Sequence, residues 1–169
     1  MFHEFISTSY DYKEISLYKD VNFIGKTYRI NGTFDGYNKD EKKLIENKTA
    51  LYFPKGDKPF KKHIHQALSY YSLILHADNL KDSETNVEIP KDELIINNIE
   101  IKYADLSRLY PLKVDPVDIF DDIIVYCNVV TSYIIKTELL NNKNELVLPL
   151  NKEKSFCKYC NYEKYCELI

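Results

Sequence analysis

Asp35, Glu46 and Lys48 are the residues whose types and spacing could do chemistry. On a strand, side chains two apart share a face, so Glu46 and Lys48 project together while Ile45 packs on the other side. Asp35 is expected to end the preceding strand of a hairpin and to come close to Glu46. Two carboxylates and an ammonium would then converge at the rim of a sheet. Carboxylates from two strands suit Mg2+ or Mn2+, hard cations that want oxygen ligands. Such an ion polarises a phosphate, lowers the pKa of a water it holds and neutralises developing charge. The lysine can orient the attacking water and balance the carboxylates. By itself the spacing also fits a surface hairpin with an Asp and a Glu–Lys pair. Gln66 and Tyr70 follow on an expected helix, where positions i and i+4 share a face. An amide and a phenol there can position a lysine, a metal ligand or a nucleic-acid strand; singly, they read as a solvated residue and a core aromatic.

Cys157, Cys160 and Cys166 form the other chemical cluster, crowded into the last thirteen residues. Thiolates at this spacing wrap one soft centre, an iron–sulfur cluster or zinc. Cys127 lies on an expected helix at ordinary core spacing, and reads either as a fourth ligand or as a buried small hydrophobe.

The elements that must position these residues can be read from the pattern. Phe2, Phe5 and Ile6 have helical spacing, strand-like stretches follow at about 14–18, 28–37 and 43–52, and turn signals include Asn31-Gly32 and Asn38-Lys39-Asp40. From Pro59 a stripe of Phe60, Ile64, Ala67, Leu68, Tyr71 and Leu75 predicts a helix ending near Asp78-Asn79. A polar loop is expected through Lys91, then strands at 94–103 and 108–114, and a long helix at about 117–140. The order implies a mixed α/β domain around one central sheet.

Composition narrows the function classes. The 169 residues suit one domain, with 1–150 as a core and 151–169 as a cysteine tail packed on it. Hydrophobic residues at 44% allow a real core, and the net charge of −3 gives no overall basic field, so nucleic-acid binding must come from a local patch. No apolar run reaches bilayer length and the first residues do not read as a signal peptide, so the expectation is a soluble cytoplasmic protein without a membrane partner. Lys55, Lys58, Lys61 and Lys62 lead into the Gln66 helix. By default they form a solvated face; beside a site that acts on phosphates, Lys58, Lys61 and Lys62 could grip the backbone of a nucleic acid. Gly25-Lys26-Thr27 lacks the earlier glycine of a phosphate-binding loop, having Asp20 there. His63 and His65 diverge on a helix and make no zinc pair.

Taken in order, Asp35, Glu46-Asn47-Lys48 and Gln66-x-x-x-Tyr70 resemble the PD-(D/E)XK nuclease pattern in its RecB-like form. The cysteine tail is similar to the iron–sulfur tail of CRISPR-associated RecB-type exonucleases and of AddB-type helicase–nucleases. The resemblance implies a restriction-endonuclease-like fold, a mixed sheet flanked by helices, and metal-dependent cleavage of DNA, single-stranded or at ends. It implies that His3, Asp35 and Glu46 hold Mg2+ or Mn2+, with the Asn47 carbonyl as a further ligand. Lys48 would serve the water, and Gln66 and Tyr70 would hold the site and the strand. The partners implied are DNA and a CRISPR or recombination/replication complex, in the host-cell cytoplasm if the protein is viral. The chain departs from the family in having no cysteine before Cys127, so 4Fe-4S, a three-cysteine cluster and zinc all stay open. A non-catalytic DNA- or protein-binding module of the same fold is the alternative, and a zinc-stabilised adaptor a third.

Overall fold

The computed structural model describes residues 10–23, 25–49, 52–83, 85–105 and 108–128. The chain divides into two compact units, residues 1–121 and 122–169. In the second, the described residues are 122–128, all helical. The expected first helix with His3, and the tail with Cys157, Cys160 and Cys166, lie outside the described residues.

The first unit is built on one mixed sheet. Strands β1 (Tyr12–Phe23), β2 (Lys26–Asn38) and β3 (Lys43–Thr49) form an antiparallel meander. Helix α1 (Lys61–His76) follows, then β4 (Asn79–Asp82), a single 3-10 turn (Lys91–Glu93), β5 (Asn98–Ala104) and β6 (Leu109–Val114). The strand order is β4-β1-β2-β3-β5-β6, and β3 and β5 run parallel. A parallel pair cannot be joined by a tight turn. Here the connection carries α1 across one face of the sheet.

Alternation explains which face α1 covers. Ile15 and Leu17 of β1, Leu44 of β3, and Ile99, Ile101 and Tyr103 of β5 are buried in one cluster with Ala67, Leu73 and Ile74 of α1. Each such aliphatic side chain contributes about 1.5–3 kcal/mol by leaving water. The opposite face carries Ile45, Asn47, Glu100 and Lys102, and Tyr10 packs over it. Gly36 allows this approach, because a Cβ there would meet the Tyr10 ring at 2.1 Å.

Several boundaries differ from the sequence expectation. Asn31-Gly32 is no turn: both residues lie inside β2, opposite Tyr18 and Leu17. The reversal falls at Gly25, whose φ of +71° is the left-handed backbone that glycine adopts without strain. Asp35 does not end its strand, which continues to Asn38. The expected loop before Lys91 contains β4, which holds onto β1 through Leu80 opposite Leu17. With four residues and one buried apolar side chain, it offers too little periodicity to detect. Residues 94–97 are outside β5, since Leu94 closes the 3-10 turn by donating its N–H to the Lys91 carbonyl. Leu75 is 47% exposed rather than part of the buried stripe, which runs through Ala67, Leu73 and Ile74. The last helix begins at residue 120 instead of 117, because Asp118 accepts the Phe120 N–H as an N-terminal cap.

Candidate active site

Glu46 is buried in β3 at 3% exposure, on the face that α1 covers. Its Oε1 accepts a hydrogen bond from Lys48 Nζ at 2.6 Å. Lys48 Nζ also donates to Gln66 Oε1 at 2.7 Å, which ties β3 to α1 across the crossover. One turn along α1, Tyr70 Oη accepts from Gln66 Nε2 at 3.0 Å. The amide orientation is thereby fixed, with its oxygen on the lysine and its nitrogen on the phenol. Gly32 makes room for this, since a Cβ there would lie 2.9 Å from the Tyr70 ring.

Asp35 enters from β2. The last pairs of the β2–β3 ladder are Asn38↔Lys43, Tyr37↔Leu44 and Gly36↔Ile45, so Asp35 is next in line toward Glu46. There the ladder ends, and Asp35 Oδ2 accepts the backbone N–H of Asn47 at 2.6 Å in place of a main-chain partner. Asn47 is steered from behind by the Tyr10 hydroxyl, which donates to its Oδ1 at 3.0 Å. Tyr10 was not visible as a site residue in the sequence: it is distant in the chain and belongs to no motif.

The electrostatics of Glu46 are unusual. Burial, and then the neighbouring charge of Asp35, push its pKa up to about 7, against the opposing pull of Lys48. Its Oε2 is buried and has no hydrogen-bond donor among the described residues. A carboxylate that is half satisfied and beside a second carboxylate is the arrangement a cation relieves. Asp35 and Glu46 are hard oxygen donors and fit Mg2+ or Mn2+ better than a soft metal. Among the described residues no group of three His, Cys, Asp or Glu side chains gathers, so the described donors are these two carboxylates and nearby backbone.

The remaining sequence candidates separate. Lys58 is exposed in the loop before α1, and Lys61 and Lys62 are exposed in its first turn. That turn contains no acidic residue, so its positive end is not offset locally. His63 Nδ1 pairs with Tyr103 Oη at 2.8 Å, and burial pushes its pKa down to about 4. Cys127 is a half-buried free thiol whose pKa burial raises. No described helix is long and apolar enough to cross a membrane.

Comparison with known proteins adds little to this geometry. No family model matches the chain, and no curated protein does. Solved structures do give matches, among them the crystal structure of SSO0001, 19% identical with a TM-score of 0.48 over 91% of this chain. This chain spans 58% of that protein's length.

Proposed function

We propose that the protein is a metal-dependent DNA nuclease of the PD-(D/E)XK type, with a restriction-endonuclease-like fold in its first unit. The single observation that carries the reading is Glu46. It is a buried carboxylate beside Asp35, with one oxygen on Lys48 and the other without a donor among the described residues. Such a group costs stability unless something positive completes it. The meander, the crossover helix and the parallel β3–β5 pair support the reading, because they leave Asp35, Glu46 and Lys48 together where the β2–β3 ladder ends.

Asp35 and Glu46 would hold Mg2+ or Mn2+, and the resemblance adds the Asn47 carbonyl and His3. Bound there, the cation supplies polarisation of the scissile phosphate and neutralises charge on the departing oxygen. Lys48, anchored by Glu46 and Gln66, keeps an N–H for the attacking water or a phosphate oxygen. Gln66 holds that ammonium in place, and Tyr70 holds Gln66. Cys157, Cys160 and Cys166 would bind an iron–sulfur cluster, with zinc as the alternative and Cys127 as a candidate fourth ligand. Iron and labile sulfide in anaerobically purified protein test this part.

Incubation of wild type and Lys48→Ala with DNA in Mg2+ or Mn2+, with and without EDTA, tests the activity. Cleavage by wild type that EDTA and the substitution both stop is the expected result. One observation favours a second reading: Asp35 already spends an oxygen on the Asn47 N–H, as a structural carboxylate would. DNA binding without cleavage in any divalent metal would move the assignment to a non-catalytic DNA- or protein-binding module.

A further inference from the structure

Beside this site lies a surface that the catalytic residues do not use. An open groove of about 700 Å³ is lined by Tyr52, Phe53, Lys55, Lys58, Phe60 and Arg108, together with Pro54. A second groove shares Phe53, Pro54 and Arg108 and continues to Leu109 and Tyr110. The Tyr110 hydroxyl donates to the Gly56 carbonyl at 2.8 Å, which fastens the 52–60 loop to β6. The walls are therefore held, not loose. Tyr52 is 80% exposed and Phe60 37%, so the groove presents more than one aromatic face to solvent. The Arg108 guanidinium lies 4.5 Å from the centre of the Phe53 ring and is paired with Asp105 from behind. Lys55 and Lys58 are exposed and form no ion pair with a described residue.

Among the described residues the lining joins aromatic faces to three cations and includes no carboxylate, although Asp105 pairs with Arg108 and leaves Lys55 and Lys58 as the cations without an ion pair. That complements a polymer that is both anionic and planar-faced. Stacking on exposed aromatics with a cationic track for the backbone is how single strands are held without sequence preference. A duplex hides its base faces and cannot use Tyr52 this way. The groove is connected to the site: Phe60 packs edge-on against Tyr103 and donates its N–H to the Tyr103 hydroxyl at 3.0 Å. Tyr103 in turn stands opposite Lys48 in the β3–β5 register.

We propose that this groove is a base-stacking subsite for single-stranded nucleic acid, with Tyr52 as the platform and Lys55, Lys58 and Arg108 on the phosphates. The proposal deepens the nuclease reading and rests on it for the identity of the polymer. It is tested by fluorescence anisotropy with labelled oligothymidylate in EDTA, where no cleavage intervenes. Tyr52→Ala should weaken binding roughly 5- to 100-fold with an unchanged circular dichroism spectrum, while Tyr52→Phe keeps it. Lys58→Ala should lower the salt slope of binding by about 0.7 for each phosphate it no longer neutralises. Wild-type affinity in Tyr52→Ala, equal or tighter binding of duplex, or no oligothymidylate binding at all would each overturn the subsite. So would phosphatidylserine–phosphatidylcholine vesicles that bind the protein and displace oligothymidylate. The two readings fail separately: cleavage in Mg2+ with Tyr52→Ala binding unimpaired sinks only the subsite, and Tyr52-dependent binding without cleavage sinks only the nuclease.

Discussion

Two buried carboxylates sit on adjacent strands of the same sheet and have opposite fates. Glu46 of β3 faces α1, and Glu100 of β5 faces the other side. Glu100 is enclosed by cations: Lys43 Nζ lies 3.2 Å from its Oε2 and Lys102 Nζ 3.8 Å from its Oε1. Lys43 also pairs with Glu41, and Lys102 donates to the Tyr10 hydroxyl, so that face closes into a network. Glu46 has Lys48 on one oxygen, no donor among the described residues on the other, and Asp35 as a like-charged neighbour. Both carboxylates were desolvated by the same sheet, yet among the described residues one has a cation at each oxygen and the other at only one. A compensated buried carboxylate holds a fold together, and an uncompensated one is poised for a ligand.

The largest expected effect comes from breaking the uncompensated site. Glu46→Ala and Lys48→Ala should each lower metal-dependent cleavage by roughly 10²–10⁴-fold, as removal of a group serving the reacting water does. Their circular dichroism should match wild type. A variant with full activity would erase the distinction between the two faces.

The second effect concerns the compensated face. Glu100→Ala leaves Lys43 and Lys102 without their shared partner and should destabilise the protein by on the order of 2–4 kcal/mol. Urea unfolding measures it. Cleavage per folded molecule should hardly change, which is the reverse of the Glu46 result.

A third, smaller effect has the opposite sign. In the metal-free protein the folded pKa of Glu46 is about 7, above its ordinary 4.5. Its favourable, protonated form is fully present below 4.5, and the associated stability is lost as pH rises through 7. Glu46→Gln removes that loss, so its melting temperature in EDTA should exceed that of wild type above pH 7. The gain should hold throughout the range above pH 7 and fade below about pH 4.5. Equal melts across the range would show that Glu46 is not strained.

The smallest effect is at His63, whose burial lowers its pKa from 6.5 to about 4. Stability tied to the neutral ring is present above pH 6.5 and is lost as pH falls toward 4. His63→Gln should flatten that acid-side decline in thermal melts without shifting the neutral-pH melt by more than about a degree.

Much of the candidate site was legible because its parts are local pairs. Glu46 and Lys48 share a strand face, and Gln66 and Tyr70 share a helix face, through backbone periodicity alone. The structure joins them with the Lys48–Gln66 bond, between residues eighteen apart in sequence. The lysine run before α1 also marked a basic edge near the site, although Arg108 from the β5–β6 turn could not be assigned to it. Tyr10 left no signal, since its partners Asn47 and Lys102 lie 37 and 92 residues away.

The sequence by itself determined a mixed α/β sheet protein, the faces on which Glu46, Lys48, Gln66 and Tyr70 stand, and the absence of a strong basic field. Those properties follow from near neighbours and from composition. Tertiary structure decided that β4 pairs with β1, that Asp35 takes the Asn47 N–H, and that Glu100 has a cation at both oxygens while Glu46, among the described residues, has one at Oε1 alone. Pairing and burial depend on which distant segments share the sheet. Desolvation and charge act through space and not along the chain, so of two glutamates alike in sequence one gained a cation on each oxygen and the other gained a cation on one oxygen and a carboxylate neighbour.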